Sequence, residues 1–393
     1  MKNQRVLISG AGIAGPTLAY WLLRRGFAPT LVERAQSFRT GGYMIDFWGL
    51  GYEVAERMGL RPSLDRLGYH IRELEVVDAK GRRITGLDFS RFESATHGRL
   101  VSLQRGDLAK EIFHLVAPNV ETIFGDRVVA VSQKSNNALA VFKHAPARRF
   151  DLVVAADGLH SPLRALVSGE REVGVVDLGC YTAAFTSDTY PHRDEDVYVS
   201  YTAPGRQIAR YTLRGGRTAF FFAYTGDGLV PLTHAEPAQR TALHKAFGGL
   251  GWECDEILAK LDRAKDFYFD VVAQVRLRSW SKGRIVLLGD AAYCPSLLSG
   301  QGSAFAMIGA YLLAYELARA DGDYTMAYAA YERQFKPFIE AKQRTAAGYR
   351  RWFAPRTARG VWLRNRAIQA LSLPGLGSFL MGRSLGDRLV LPD

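Results

Sequence analysis

Residues 6–16 read Val-Leu-Ile-Ser-Gly-Ala-Gly-Ile-Ala-Gly-Pro, and this stretch decides the fold. Val6 to Ser9 is short, apolar and β-branched, the composition of a buried strand. Gly10, Gly12 and Gly15 follow at the spacing of a strand–turn–helix dinucleotide site. There Gly10 makes the turn, Gly12 lets backbone approach a pyrophosphate, and Gly15 lets the helix pack on the strand. Pro16 suits the first helical turn, where its missing N–H is not needed. A helical pattern containing Ala19 runs through Arg25, Gly26 follows, and Leu31-Val32-Glu33-Arg34 closes the unit. Glu33 stands 23 residues after Gly10, at the end of the second strand, where a carboxylate meets the ribose hydroxyls of an adenosine.

A second stretch, RIVLLGDAAYCPSLLSGQGS at Arg284 to Ser303, complements the first. A buried-strand run, Ile285 to Leu288, ends in Gly289-Asp290. A tight Pro/Ser/Gly loop follows, and Gly300-Gln301-Gly302 opens a long helix of small residues. Asp290 offers a carboxylate to ribitol hydroxyls, and the helix N-terminus favours negative charge on a reduced ring system. Two shorter motifs lie between. Ala156-Asp157-Gly158-Leu159-His160-Ser161, with Arg164 beyond, places Asp157 at the carboxyl end of a strand, where open parallel sheets bind ligands. Leu103-Gln104-Arg105-Gly106-Asp107-Leu108 places Arg105 at the head of a helix.

Composition sets the bounds. A chain of 393 residues predicts two or three domains with ample core. The three cysteines, Cys180, Cys254 and Cys294, show neither paired nor metal-like spacing, so no disulfide framework is expected; Cys294 reads as a small filler in the loop. Val6 to Leu23 carries no charge after Lys2 and Arg5, yet its glycines and Pro16 argue against a signal or membrane anchor, and a cytoplasmic protein is expected. The net charge of +12 is uneven, with ten Lys/Arg against two Asp in residues 341–393. That basic tail would be attracted to an acidic surface, a solvated helical face being the plainer reading; a membrane partner is not expected. No motif or aromatic stripe supports nucleic-acid binding. His160 reads as a hydrogen-bonded structural group. His70, His97, His144, His192, His234 and His244 do not form metal spacing.

The remaining chain reads as an ordered set of pieces. Ile71 to Phe89 is a hairpin, and residues 176–275 alternate like strands at 197–201, 207–213 and 218–224. Ten aromatics fall between Tyr181 and Tyr224, so one face of this sheet is a candidate pocket wall. Helices are expected from Ser303 to about Ala320 and from about Thr325 to Arg351, with breaks at Pro355 and Pro374. The expected class is α/β (α+β overall): a Rossmann-like domain from 1–70, 99–175 and 276–350, an inserted, mostly antiparallel β-sheet domain from 71–98 and 176–275, and a basic C-terminal helical segment at 351–393.

These motifs and their order resemble the FAD-dependent aromatic hydroxylases, the group A flavoprotein monooxygenases. The run from Asp266-Phe-Tyr-Phe-Asp270 through Gly309-Ala-Tyr-Leu-Leu313 is most similar to the branch containing tetracycline-inactivating monooxygenases. The resemblance implies one FAD, a transient NAD(P)H donor, dioxygen, and a flavin C4a-hydroperoxide that hydroxylates an aromatic or polyketide-like small molecule. The flavin then carries the chemistry, with no catalytic side chain required. The resemblance places Gly10, Gly12, Ile13, Ala14, Gly15, Glu33, Arg34, Asp46, Arg105, Val129, Asp157, Gly289, Asp290, Pro295, Gly300 and Gly302 on FAD. Arg105 would meet the ribityl–phosphate part, Asp157 the pyrophosphate region, and Pro295 the pocket floor. Gly41 to Gly49 should pass close to the flavin ring, where Phe47 or Trp48 could stack, and Tyr201, Arg210 and Phe222 are expected to face substrate. Two departures stand near the expected flavin: Tyr293 replaces a histidine of many relatives, and Tyr43 to Trp48 is bulkier than in several. No paired-tryptophan motif supports a halogenase. A reductase or oxidase of the same fold, and a non-catalytic flavoprotein, stay open as alternatives.

Overall fold

The computed structural model of the chain describes residues 2–38, 43–89, 96, 98–169, 174–226, 235–372 and 389–393. Gly41 and Gly42 of the flavin-approach segment, His97, His234 and Pro374 lie outside them.

A six-stranded sheet carries the first layer, in the order Ser281–Lys282, Ile285–Leu287, Leu152–Ala155, Arg5–Ser9, Ala28–Glu33, Glu121–Phe124. Every pairing is parallel except the short edge strand Ser281–Lys282. The central strands are fully buried: Leu7, Ile8, Val153, Val154 and Val286 expose nothing. Helices on both faces explain why these strands read as continuous apolar runs rather than alternating ones. The long helix Gly302–Arg319 packs against Ala14–Arg24 and is apolar nearly all round, as a helix enclosed by others must be.

The second sheet has seven strands, in the order Tyr268–Val275, Val175–Ser187, Arg217–Thr225, Arg206–Leu213, Val197–Ala203, Glu73–Val77, Arg83–Asp88. The hairpin read at Ile71 to Phe89 thus joins the edge of this sheet, and Val197–Ala203 pairs with Glu73–Val77 in parallel. The stretch 176–275 is not strand throughout. Glu236–Phe247 and Cys254–Leu261 are helices that cover one face of the sheet. Pro237 sits in the first turn, and Ala242, Leu243, Ala246 and Phe247 make a buried helical stripe.

The C-terminal part begins with the helix Tyr324–Phe353, which contains Pro337. The chain breaks at Pro355 and resumes as the helix Ala358–Leu371. Thr357 caps that helix, its Oγ1 accepting from the Gly360 N–H at 3.1 Å. Among the described residues no helix is long and apolar enough to cross a membrane.

Candidate active site

Three adjacent strand ends build the site. Ser9 is in register with Ala155, and Ala155 with Leu287. The chain leaves those strands as Gly10, as Ala156-Asp157 and as Gly289-Asp290, so three motifs far apart in sequence meet at one sheet edge. This is the carboxyl edge, where parallel sheets bind ligands. The turn at Gly10 has φ +110°, and a Cβ there would lie 2.4 Å from the Ala156 carbonyl oxygen. A Cβ on Gly15 would lie 2.0 Å from the Gly10 carbonyl oxygen, which is how closely the helix Ala14–Arg24 approaches the turn. Glu33 holds the same turn from beside it: its carboxylate accepts the Ala11 and Ala35 N–H groups, each at 2.9 Å.

Arg105 opens the helix Arg105–Val116 directly after the strand Leu100–Gln104, which pairs with Met44–Trp48. Its Nη2 comes 3.8 Å from where a Gly12 Cβ would stand, and no carboxylate pairs with it among the described residues. FAD fits this arrangement: an open glycine turn and a guanidinium without a salt-bridge partner among the described residues stand side by side, the donors that a pyrophosphate needs. Opposite, the Asp290 carboxylate lies 3.7 Å from where a Gly302 Cβ would stand, beside the N-terminus of the helix Gly302–Arg319. Burial raises the Asp290 pKa and the Arg105 charge opposes that rise.

Arg164 ties two of the loops together. Its Nε donates to the Ala291 carbonyl at 2.8 Å and its Nη2 to the Leu159 carbonyl at 2.6 Å. Asp157 lies behind the cavity surface. Neither of its oxygens has a hydrogen bond of ordinary geometry, although Ser161 stands near enough to oppose the upward pKa shift that burial causes. Ser296, in the same loop as Pro295, adopts φ +86°, a strained value for a residue other than glycine and one found preferentially at functional sites.

A cavity of about 420 Å³ runs from these loops to the seven-stranded sheet. Of the residues expected on FAD, Gly12, Ile13, Ala14, Asp46, Arg105, Asp290, Pro295, Gly300 and Gly302 line it. Gly10, Gly15, Glu33, Asp157 and Gly289 stand behind that surface and shape it. Arg34 is exposed; its charge acts on His160. Val129 is half-exposed on the strand Val128–Gln133, outside the cavity, so the structure does not bring it to the site.

Of the expected substrate residues Arg210 alone lines the cavity, and the others fall elsewhere. Register puts Tyr198, Ser200, Ala209, Tyr211, Ala219 and Phe221 on the cavity face of the sheet. Tyr201 and Phe222 differ in parity and pack on the opposite face against the helices Glu236–Phe247 and Cys254–Leu261. The Tyr201 hydroxyl donates to the Leu250 carbonyl at 2.9 Å. Arg210 borders the cavity, but its guanidinium is held by Glu253 at 2.7 Å and Asp194 at 2.6 Å. Phe47 is buried in the first core against Tyr52, and Trp48 also lies off the cavity, because Tyr43 to Asp46 make the approach instead. Tyr201→Phe should therefore lose about 1 kcal/mol of stability and leave substrate affinity unchanged, checked by thermal melting beside ligand titration.

Tyr198, Tyr268, Phe353, Arg364 and Ile368, which sequence reasoning did not single out, complete the wall beside Tyr43 and Asp46. Asp46 accepts from the Ser102 hydroxyl at 2.5 Å and lies beside Tyr198. The rings of Tyr43 and Tyr268 meet at 5.2 Å, and burial pushes the Tyr43 hydroxyl up to about 12. Phe353, Arg364 and Ile368 come from the C-terminal segment, whose helix Ala358–Leu371 turns one face to the cavity.

Of two loop residues, Tyr293 departs from its expected surroundings and Cys294 keeps to the filler role read for it. Tyr293 turns into the core, its ring 4.7 Å from Trp280 and its hydroxyl accepting from Tyr331 at 3.2 Å, so it does not face the cavity. The Cys294 thiol is buried and its pKa lies well above the ordinary range, first through burial and then through Asp290, so the sulfur stays protonated and unreactive.

His160 bonds Asp270 at 2.9 Å, and that bond raises its pKa above the ordinary 6.5. A raised folded-state pKa contributes stability that is complete below the ordinary value and is lost as pH rises through the raised one. The pair is half-exposed, so the contribution stays under about 1 kcal/mol. His160→Gln should flatten the melting temperature between about pH 6 and pH 8; an unchanged pH profile would contradict the assignment.

Fold and site together define a flavin-dependent oxidoreductase with its substrate cavity between two sheets. The family profile described as "FAD binding domain" matches residues 3–341, and the chain belongs to that family of FAD-dependent monooxygenases. It is 34% identical over 342 residues to a flavin-dependent monooxygenase of an unknown prokaryotic organism, covering 87% of this chain and 88% of the relative. A flavin-dependent monooxygenase of Legionella longbeachae serogroup 1 (strain NSW150) is 34% identical over 352 residues, with coverage of 87% and 88%. The crystal structure of tetracycline destructase Tet(51) superposes with a TM-score of 0.84 at 31% identity, covering 100% of both chains.

Proposed function

We propose that this protein is an NAD(P)H-dependent hydroxylase of a polycyclic, polyketide-like substrate such as a tetracycline, acting in the cytoplasm. The observation that carries the reading is the single cavity joining the three strand-end loops to the aromatic face of the second sheet. The 31% identity to a tetracycline destructase supports the substrate class. FAD, when bound, would take electrons from NAD(P)H and deliver one atom of dioxygen to the substrate.

The chain supplies position, charge and dryness. Gly12 and Arg105 would hold the pyrophosphate, and Asp290 the ribitol hydroxyls. The N-terminus of the helix Gly302–Arg319 stabilises negative charge at the ring edge beside it. Tyr198, Tyr211 and Phe221 offer flat surfaces for a planar ring system, and the helix Ala358–Leu371 excludes water from above.

The test is purified, yellow protein challenged with tetracyclines, anthraquinones and simple phenols. The reading requires NAD(P)H oxidation that accelerates with substrate and a product heavier by one oxygen atom. Accelerated oxidation with no oxygenated product across the panel would instead identify a reductase or oxidase.

A further inference from the structure

Arg364 is 5% exposed, yet it has no carboxylate partner among the described residues. Its Nη1 donates to the Thr202 hydroxyl at 2.8 Å, and its Nε and Nη2 donate to the Asn365 side-chain oxygen at 3.2 and 2.9 Å. Three N–H groups thus meet neutral oxygens, and two of the five that a guanidinium carries are left over. Burial alone depresses its pKa to about 10, which marks a cation lacking a compensating charge. A buried, unpaired charge destabilises the fold, and such charges persist where a ligand completes them. Arg210, on the opposite face of the same sheet, shows the contrasting structural case, with two carboxylates against it.

A second orphan lies next to it. Gln207 is the cross-strand neighbour of Thr202, and its side-chain oxygen is buried on the cavity wall with no hydrogen-bond partner among the described residues. Its amide nitrogen donates to Ser200 at 3.1 Å. A surplus cationic donor and a surplus acceptor therefore share one end of the cavity, on the C-terminal helix and the sheet beneath it.

We infer that Arg364 and Gln207 form a recognition site for an anionic oxygen of the substrate, a carboxylate or enolate on a ring system, with Gln207 accepting from a neighbouring hydroxyl or amide. This rests on the hydroxylase reading and names the feature that would select among ring systems of similar size. One cation of the basic C-terminal segment, Arg364, then serves charge recognition inside the protein.

The probes are anthraquinone-2-carboxylate and its neutral amide, titrated against the FAD-loaded protein by the perturbation of flavin absorbance. The native protein should bind the carboxylate roughly ten- to a hundredfold more tightly, the range of a hydrogen bond to a charged group. Arg364→Met should abolish that preference while keeping the amide affinity within about twofold, and Arg364→Lys should retain part of it. A structural role alone would weaken both probes together. Equal affinities in the native protein, no saturable carboxylate binding, or a preference that survives in Arg364→Met overturns the inference. A protein that oxygenates a neutral substrate but ignores the carboxylate keeps the hydroxylase reading and loses this one. A protein that takes up no FAD loses the hydroxylase reading.

Discussion

Gly15→Val is expected to yield protein that retains no flavin. The Cβ of any side chain at this position would sit 2.0 Å from the Gly10 carbonyl oxygen, 3.2 Å from its carbon and 3.3 Å from Ile8 Cγ2. Two of those atoms are backbone, so relief requires the helix Ala14–Arg24 to lift from the strand or the turn to open. Overpacking of this kind costs about 3 kcal/mol or more. The turn that moves is the one facing Arg105, so FAD affinity should fall by at least about a hundredfold, near 2.7 kcal/mol. Gly12→Ala is the informative partner. A methyl there finds its nearest neighbour at 3.8 Å, so the protein should fold normally and lose FAD by direct obstruction. Flavin absorbance per mole of protein, read beside the melting temperature, separates the two. A Gly15→Val protein with native melting and native flavin content would rule out the glycine turn as the dinucleotide site.

Arg105→Met should weaken FAD by roughly 30- to 1000-fold, about 2–4 kcal/mol, the range for truncating one partner of a buried charge pair. The guanidinium forms no salt bridge within hydrogen-bond reach among the described residues and acts on the buried Asp290 carboxylate only at a distance, so its removal should move the melting temperature of the flavin-free protein by far less than it moves FAD affinity. Arg105→Lys should recover only part of the affinity, because a point charge cannot bond two phosphate oxygens side by side. Titration of FAD into the flavin-free variants, followed by flavin fluorescence, reads both effects. An unchanged dissociation constant would remove Arg105 from the cofactor site.

The cofactor half of this protein was legible because each of its parts is local. A turn that needs Gly10, a carboxylate after a buried strand, and an arginine at a helix head each reveal themselves within ten residues. Their meeting follows from parallel strand order, which brings the ends at Ser9, Ala155 and Leu287 side by side. The substrate half was less legible because a strand shows its two faces in alternation, and composition does not say which one is covered. Tyr201 and Phe222 sit one residue away in parity from residues that reach the cavity, and a change of one moves every side chain to the other face. The helices Glu236–Phe247 and Cys254–Leu261 decide the matter by covering the face that carries Tyr201 and Phe222, and their pattern was overshadowed by the strands around them. Phe47 was misplaced for a related reason: the strand Met44–Trp48 turns its bulkiest rings away from the cavity. Arg364 was hidden differently, since one arginine in a basic tail looks like any other until its burial is known.

The convergence of three strand ends has a thermodynamic consequence. A ligand that touches all three loops acts as a reversible cross-link between segments distant along the chain. It binds only when the parallel strands are assembled, so its binding free energy adds to folding free energy. At free FAD a hundred times above its dissociation constant the gain is about 2.7 kcal/mol, and each further tenfold adds about 1.4 kcal/mol. Cells short of flavin would then hold less of this protein, because its newly made chains would unfold and be degraded more often before they ever met a substrate.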